Sequence, residues 1–64
     1  MITVNGETRE YKELTLQKLL AELELATNLC AIEVNNTLVP YKERDEYILQ
    51  DGDNVEIVSL VGGG

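Results

Sequence analysis

Four leucines at helical spacing constrain the fold of this 64-residue chain more than any other sequence feature. Leu16, Leu19, Leu20 and Leu23 follow one another at i, i+3, i+4 and i+7, which places them on one face of an amphipathic helix. Thr15 stands just before them and belongs to the residue types favoured at helix N-caps. Because a single apolar helix face needs a sheet to cover it, the pattern predicts a two-layer α+β domain.

Short apolar segments separated by turn residues supply the expected sheet. Asn5-Gly6 and Asn35-Asn36 are turn signals, because these residue types tolerate a positive φ angle. Pro40 ends the strand before it, since proline has no amide hydrogen to donate to a neighbouring strand. Strands are predicted at residues 1–5, 7–11, 30–34, 37–39 and 55–61. Connections are predicted at residues 26–28, at 41–47 as a surface turn or single helical turn, and at 50–54 as a tight turn.

The last predicted strand is the most apolar one, and Glu56 interrupts it. Val55 and Ile57 are expected on one face of this strand. Val58 and Leu60 are expected on the other face if a bulge shifts the alternation by one residue. Val58 and Leu60 therefore belong either to the core or to an apolar patch that faces a partner.

The charge balance excludes several function classes. Twelve acidic residues stand against five basic ones, and the formal net charge is −7. Such a chain repels phosphate backbones, so we expect no nucleic-acid partner but a protein with a basic docking surface. The alternative is that the acidic side chains only keep a small domain soluble. No apolar run approaches the roughly 20 residues that span a bilayer, and the first residues lack signal-peptide features, so we expect no membrane partner and a cytoplasmic location.

Side chains suited to catalysis or metal binding are scarce. The chain has no histidine and only one cysteine, so acid–base and nucleophile–base pairs have few candidates. Asp51, Asp53 and Asn54 lack the ligand spacing of a calcium loop and are typical of a turn. We therefore expect no enzyme activity, no metal site and no cofactor bound by this chain. Cys30 is interpreted as a small buried apolar residue, with a mixed disulfide to a partner as the alternative.

Three consecutive glycines, Gly62, Gly63 and Gly64, follow directly on the last apolar strand. Glycine has no Cβ, so this segment can extend and allow another molecule to approach its backbone closely. We interpret residues 1–61 as the folded domain and residues 62–64 as a flexible tail that carries a carboxylate into a narrow cleft of a partner enzyme. The alternative is a frayed terminus or an artificial extension.

The order of hairpin, helix, strand pair and final strand resembles the ThiS family, the sulfur carriers of thiamine biosynthesis. The resemblance spans essentially all 64 residues and is most specific where an Asp-Gly-Asp turn precedes a strand that runs into terminal glycines. It implies a ubiquitin-like β-grasp fold, in which a mixed sheet of four to five strands packs on one main helix. The segments that carry the resemblance are Asn35-Asn36-Thr37-Leu38-Val39-Pro40, Gln50-Asp51-Gly52-Asp53-Asn54-Val55-Glu56-Ile57 and Val61-Gly62-Gly63-Gly64.

The resemblance also implies a mechanism whose catalytic groups belong to partners. A ThiF-like adenylyltransferase would use ATP and magnesium to convert the Gly64 carboxylate to an acyl-adenylate. Sulfur from a cysteine desulfurase or another donor would displace AMP and leave a thiocarboxylate, which a ThiG-like thiazole synthase would use. Gly64 would be the site of covalent modification, with Gly62 and Gly63 as the access arm. The family ends in a glycine pair, and three glycines fit this pattern if no residue follows Gly64.

Other functions stay open at this point. The small subunit of molybdopterin synthase shares the fold and the terminal thiocarboxylate, but such subunits are usually longer than this chain. A ubiquitin-like modifier conjugated to lysines is a third relative. A non-covalent interaction module with an inert glycine tail is the alternative from a different class. The sequence alone names neither the sulfur donor nor the sulfur acceptor.

Overall fold

A computed structural model of the chain describes residues 1–25 and 29–59. Within these ranges the strands form one sheet in the order β2-β1-β5-β3-β4. Strands β1 and β5 run parallel, and the other described neighbours run antiparallel. The elements are β1 (Ile2–Val4), β2 (Glu7–Arg9), α1 (Leu16–Glu22), β3 (Cys30–Val34), β4 (Thr37–Leu38), a 3-10 turn (Tyr41–Glu43) and β5 (Asn54–Ser59).

The predicted α+β class is confirmed, with a five-stranded mixed sheet and one helix in the described residues. The loop predicted at residues 26–28, the end of the last strand at 60–61 and the glycine tail at 62–64 lie outside these residues. No helix in the described ranges is long and apolar enough to cross a membrane.

The leucine face of α1 is buried against one face of the sheet. Leu16, Leu19 and Leu20 are at most 2% exposed, and Leu23 packs against the edge of the core. The hydroxyl oxygen of Thr15 accepts a hydrogen bond from the amide of Lys18 at 3.2 Å, as expected for an N-cap. The other buried apolar residues of the core cluster are Ile2, Val4, Ile32, Val34, Val39, Leu49 and Val55.

Helix α1 ends in a Schellman motif that closes on a non-glycine residue. Glu24 has a left-handed φ of 59°, a conformation that glycine usually supplies at this position. The amide of Glu24 donates to the carbonyl of Ala21 at 3.1 Å, and the amide of Leu25 donates to that of Leu20 at 3.0 Å. These bonds satisfy two carbonyls that the end of a helix leaves without a partner, at the cost of strain at Glu24.

Both predicted asparagine turns are confirmed as two-residue hairpin loops. Asn5 and Gly6 have φ values of 50° and 84°, and Asn35 and Asn36 have values of 52° and 69°. Positive φ at both central positions is the signature of a type I′ turn, whose twist matches that of the flanking strands. These turns set the pairing of β1 with β2 and of β3 with β4.

The structure confirms that Val58 lies on the face of the last strand opposite Val55, but no bulge is present over the described residues. Strand β5 pairs with β3 without interruption, from Val34 opposite Val55 to Cys30 opposite Ser59. No extra residue is inserted, so the side chains keep their period of two. Val55 is fully buried, whereas Val58 points away from the core and is 60% exposed.

Candidate functional site

The glycines predicted to carry the chemistry, Gly62, Gly63 and Gly64, lie outside the described residues, so their role stays a prediction. The structure does describe β5, the strand that leads to them. This strand occupies the middle of the sheet, between β1 and β3. Its apolar inward face is what the sequence pattern predicts; the strand begins one residue earlier than predicted, at Asn54, and is described as far as Ser59.

Backbone hydrogen bonds fix β5 to β1 along its first half. The amide of Thr3 donates to the carbonyl of Asp53 at 3.0 Å, and the amide of Asn5 donates to that of Val55 at 2.9 Å. The side chain of Asn5 extends this ladder, because its Oδ1 accepts the amide of Ile57 at 2.7 Å. A turn residue of the first hairpin thereby also binds the strand that precedes the glycines.

A side-chain network closes the turn from which β5 starts. Asn35 donates from Nδ2 to Asp53 at 3.0 Å, and its Oδ1 accepts the amide of Asn54 at 2.9 Å. The other carboxylate oxygen of Asp53 accepts the amide of Gln50 at 2.8 Å. Gly52 adopts a φ of 95° between these residues. The turn interpretation of the Asp-Gly-Asp segment is therefore confirmed, and its second aspartate is 8% exposed.

Arg44 is buried beside the start of β3, a position that no sequence pattern predicted. Its side chain is 4% exposed, and Nη2 donates to the carbonyl of Cys30 at 2.6 Å. The guanidinium carbon lies 5.3 Å from the centre of the Tyr41 ring, and the Arg44 carbonyl accepts the amide of Gln17 at 3.2 Å. The surface turn or single helical turn expected at residues 41–47 is confirmed by an exposed 3-10 turn at Tyr41–Glu43, and the burial of Arg44 is the exception. The neighbours of Arg44 in the sequence, residues 42–46, are all charged, and such a segment is usually exposed. No local pattern therefore predicts that Arg44 is buried.

Cys30 begins β3 opposite Ser59 and is 5% exposed, as its interpretation as a small buried residue predicts. Within the described ranges, no group of three or more His, Cys, Asp or Glu side chains is arranged to hold a metal ion.

The outer face of the sheet, opposite the helix, carries exposed apolar side chains beside acidic ones. Val58 lies opposite Ala31, and Glu56 lies opposite Glu33, which in turn faces Leu38. Val58 and Leu38 are each 60% exposed. A groove of about 420 Å³ lies beside β3, β4 and the 3-10 turn. It is lined by Cys30, Ala31, Leu38, Val39, Pro40, Tyr41 and Arg44.

Known proteins share the sequence pattern and the arrangement of strands and helix described above. The family model described as "ThiS family" matches residues 2–64 of this chain. This chain belongs to the ThiS family. The sulfur carrier protein ThiS of Bacillus subtilis is 35% identical over 66 residues, and the alignment covers 100% of both chains. A crystal structure of the thiamine biosynthesis protein ThiS from Geobacter metallireducens superposes with a TM-score of 0.79 at 33% identity, covering 98% of this chain and 97% of that one.

A longer relative joins a ThiS-like segment to further sequence. A protein of Paramagnetospirillum magneticum named thiazole synthase is 36% identical over 98% of this chain, which spans only 20% of that protein's length. The ThiS family resemblance identified from sequence is therefore confirmed, together with its β-grasp fold.

The structure explains two of the three segments that carried the ThiS resemblance. The segment at residues 35–40 forms the second hairpin turn and β4, and the segment at 50–57 forms the network around Asp53 and the start of β5. Both segments position β5. Within the described residues, β5 is therefore paired on both sides in the sheet.

Proposed function

We propose that this chain is a sulfur carrier of thiamine biosynthesis whose Gly64 carboxylate is converted to a thiocarboxylate. The observation that carries the proposal is the ThiS family match, which runs through residue 64. The anchoring of β5 from both sides supports it, because a fixed strand gives the glycine arm (Gly62, Gly63 and Gly64) a defined origin. Formation of a thiocarboxylate at Gly64 requires that no residue follow Gly64 at the time of activation.

The chemistry of the carboxylate explains why a partner must activate it. A C-terminal carboxylate is anionic at neutral pH and is a poor acyl donor. In the proposed first step, a ThiF-like adenylyltransferase with ATP and magnesium joins a Gly64 carboxylate oxygen to the α-phosphorus and releases pyrophosphate. A sulfur nucleophile then attacks the Gly64 carbonyl carbon and displaces AMP. With hydrosulfide as the nucleophile, the products are the thiocarboxylate, AMP and a proton.

In this proposal the chain itself supplies access rather than catalysis. Side chains on the last residues would have to fit into the active-site clefts of both partners, whereas glycines present only backbone. The folded part of the chain holds the arm at a fixed place and gives the partners a surface to recognise. ATP, magnesium and the catalytic side chains belong to the partner enzymes.

We assign the acceptor role to thiazole synthase. The occurrence of a ThiS-like segment within a protein named thiazole synthase supports this partner, because fusion keeps two cooperating domains together. The sulfur donor is a cysteine desulfurase or another sulfur-mobilising protein.

Intact mass spectrometry tests the proposal. The purified chain is incubated with a ThiF-type adenylyltransferase, ATP, magnesium and sulfide, and its mass is followed over time. We expect one oxygen to be replaced by one sulfur, with fragmentation placing the change at Gly64. Deletion of Gly63 and Gly64 together, which leaves no glycine pair at the end, is the matched control and should abolish the change while circular dichroism remains that of the folded chain.

Two results would contradict the proposal. One is an unchanged mass for the wild-type chain under conditions in which the enzyme consumes ATP. The other is a cellular form of the protein that extends beyond Gly64 without processing. Transfer of the sulfur to the large subunit of molybdopterin synthase, and not to thiazole synthase, would instead overturn the thiamine assignment.

A further inference from the structure

Strand β2 forms one edge of the sheet, and part of its backbone points outward. The amide of Thr3 donates to the carbonyl of Asp53, so it points away from β2. Thr3 lies opposite Thr8, and the two residues are therefore a facing pair without mutual hydrogen bonds. The amide and carbonyl of Thr8 consequently point away from β1, to the side on which no other described strand lies. Such outward groups form a template for a further strand.

The side chains of β2 carry opposite charges two residues apart. Glu7 lies opposite the buried Val4, and Arg9 lies opposite the buried Ile2, so both charges are on the helix face of the sheet. Glu7 is exposed and Arg9 is partly exposed. In the described part of the chain, neither side chain takes part in an ion pair. Both charges can therefore pair with those of a neighbouring molecule.

A second copy of β2 matches both the backbone and the charges of this edge. When two copies pair antiparallel about a two-fold axis at Thr8, each Thr8 amide donates to the Thr8 carbonyl of the other copy. The same register places Glu7 of each copy directly opposite Arg9 of the other. Opposite charges in directly facing positions stabilise a sheet. Charged residues on an edge strand usually oppose pairing, but their spacing in β2 forms two matched pairs.

Other registers of the same strand are less favourable. A two-fold axis at Glu7 or at Arg9 would bring two like charges face to face, which destabilises a sheet. A parallel pairing in register would also oppose identical charges. An axis at Gly6 would fall in the turn, where the φ of 84° is not that of an extended strand. The axis at Thr8 is therefore the register that β2 favours.

We propose that two copies of this chain associate through β2, with Thr8 on the two-fold axis, to form one continuous sheet of ten strands, five from each copy. The proposal does not depend on the proposed function. Strand β1 separates β5 from β2, so the pairing does not touch β5. The two β5 strands point in opposite directions, because the copies run antiparallel. Each copy contributes only three strand residues, far fewer than the 20–30 of a standard interface, so monomer and dimer exchange readily.

Reversal of either charge tests the pairing and its register. Glu7→Arg makes both positions positive and Arg9→Glu makes both negative, so each variant alone should self-associate about tenfold more weakly than wild type. An equimolar mixture of the two variants should regain the wild-type affinity, because every facing pair then joins opposite charges. Sedimentation equilibrium up to about 1 mM protein measures the association constants. An ionic strength of about 0.15 M limits the general repulsion between two acidic chains.

Lys42→Glu and Glu43→Arg are the matched controls for net charge. Both residues are exposed in the 3-10 turn, and the two substitutions change the net charge by the same amounts as the two edge substitutions. Each control should self-associate within about twofold of wild type. Controls that shift the association constant as much as the edge variants do would show that net charge governs association, and would overturn the proposal.

Contacts between the copies locate the interface. In a mixture of isotope-labelled and unlabelled chains, we expect a nuclear Overhauser effect between the Hα atoms of Glu7 in one copy and Arg9 in the other, because the Cα atoms of such pairs lie about 4.5 Å apart. Thr8→Pro should abolish the dimer yet remove no internal hydrogen bond, since the amide of Thr8 points outward. Thermal unfolding verifies that each variant is folded. A wild-type chain that is monomeric at about 1 mM, or a folded Thr8→Pro variant that still dimerises, contradicts the proposal.

Discussion

At the scale of single residues, asparagine has two functions in this chain. Asn5 and Asn35 both occupy the left-handed region, which asparagine tolerates better than other non-glycine residues. Their side chains also bind β5, because Asn5 accepts a hydrogen bond from the amide of Ile57 and Asn35 accepts one from the amide of Asn54. Glycine could replace either asparagine in the turn but could not make these bonds. The residue type is therefore determined by the strand it contacts as well as by the backbone angle.

Substitution of Asn35 tests this double function. Asn35→Ala removes hydrogen bonds to Asp53 and to the amide of Asn54, and it places a Cβ without compensating bonds at a positive φ. We expect a loss of about 2–3 kcal/mol in the free energy of unfolding, measured by urea denaturation. Asn36→Ala, at a φ of 69° in the same turn, measures the cost of alanine in this conformation. Equal losses for both variants would show that the Asn35 hydrogen bonds contribute nothing.

At the scale of elements, the spacing of apolar residues predicted the helix and the strands, because burial of one face requires apolar residues at the period of the element. The leucine face of α1 and the alternation of Ile2 with Val4 in β1 are buried as predicted. The ends of elements were less predictable. The strand expected at residues 7–11 ends at Arg9, and the hydroxyl of Tyr11 instead donates to the carbonyl of Leu49 at 3.0 Å. Such a contact joins residues distant in sequence, so no local pattern indicates it.

The dependence on contacts between distant residues also explains which features of the candidate site the sequence could predict and which it could not. Turn chemistry at the Asp-Gly-Asp segment was readable, because glycine and aspartate have local conformational preferences. Burial of Arg44 was not readable, since it depends on the position of the Cys30 carbonyl in a different element. The outward direction of Val58 follows from the register of β5 against β3, which apolar residues on both faces of the strand left ambiguous.

The C-terminus of α1 offers an element-scale prediction. Glu24 is in the left-handed region and adds a negative charge where the helix dipole is also negative. We expect Glu24→Gly to raise the free energy of unfolding by about 0.5–1 kcal/mol, because glycine removes the strain and the charge. Ala21→Gly, on the exposed side of the last helical turn, should lower it by about 1 kcal/mol. Urea denaturation of both variants measures the effects, and destabilisation by Glu24→Gly would contradict the strain argument.

At the scale of the whole molecule, the net charge of −7 leads to a prediction about the rate at which the chain associates with a partner protein. If the acidic surface attracts a basic partner, the association rate with the adenylyltransferase should fall about tenfold between roughly 50 mM and 500 mM salt. The dissociation rate should change much less, because long-range attraction mainly affects encounter. Stopped-flow or surface plasmon resonance measures both rates. An association rate independent of salt would indicate that the acidic side chains serve only solubility.

The glycine arm proposed for Gly62, Gly63 and Gly64 leads to the last prediction. Gly63→Val adds a branched side chain to the proposed glycine arm, whereas the core cluster of the described residues is left unchanged. The thermal midpoint should therefore stay near that of wild type, while the rate of sulfur loading falls by about 100-fold, because the carboxylate is displaced within the partner's cleft. Thr8→Val, which places the same residue type on exposed β2, is the control for an added valine away from the arm and should load at the wild-type rate. Normal loading of Gly63→Val would mean that the partner's cleft is wide, and that the glycines serve some purpose other than access.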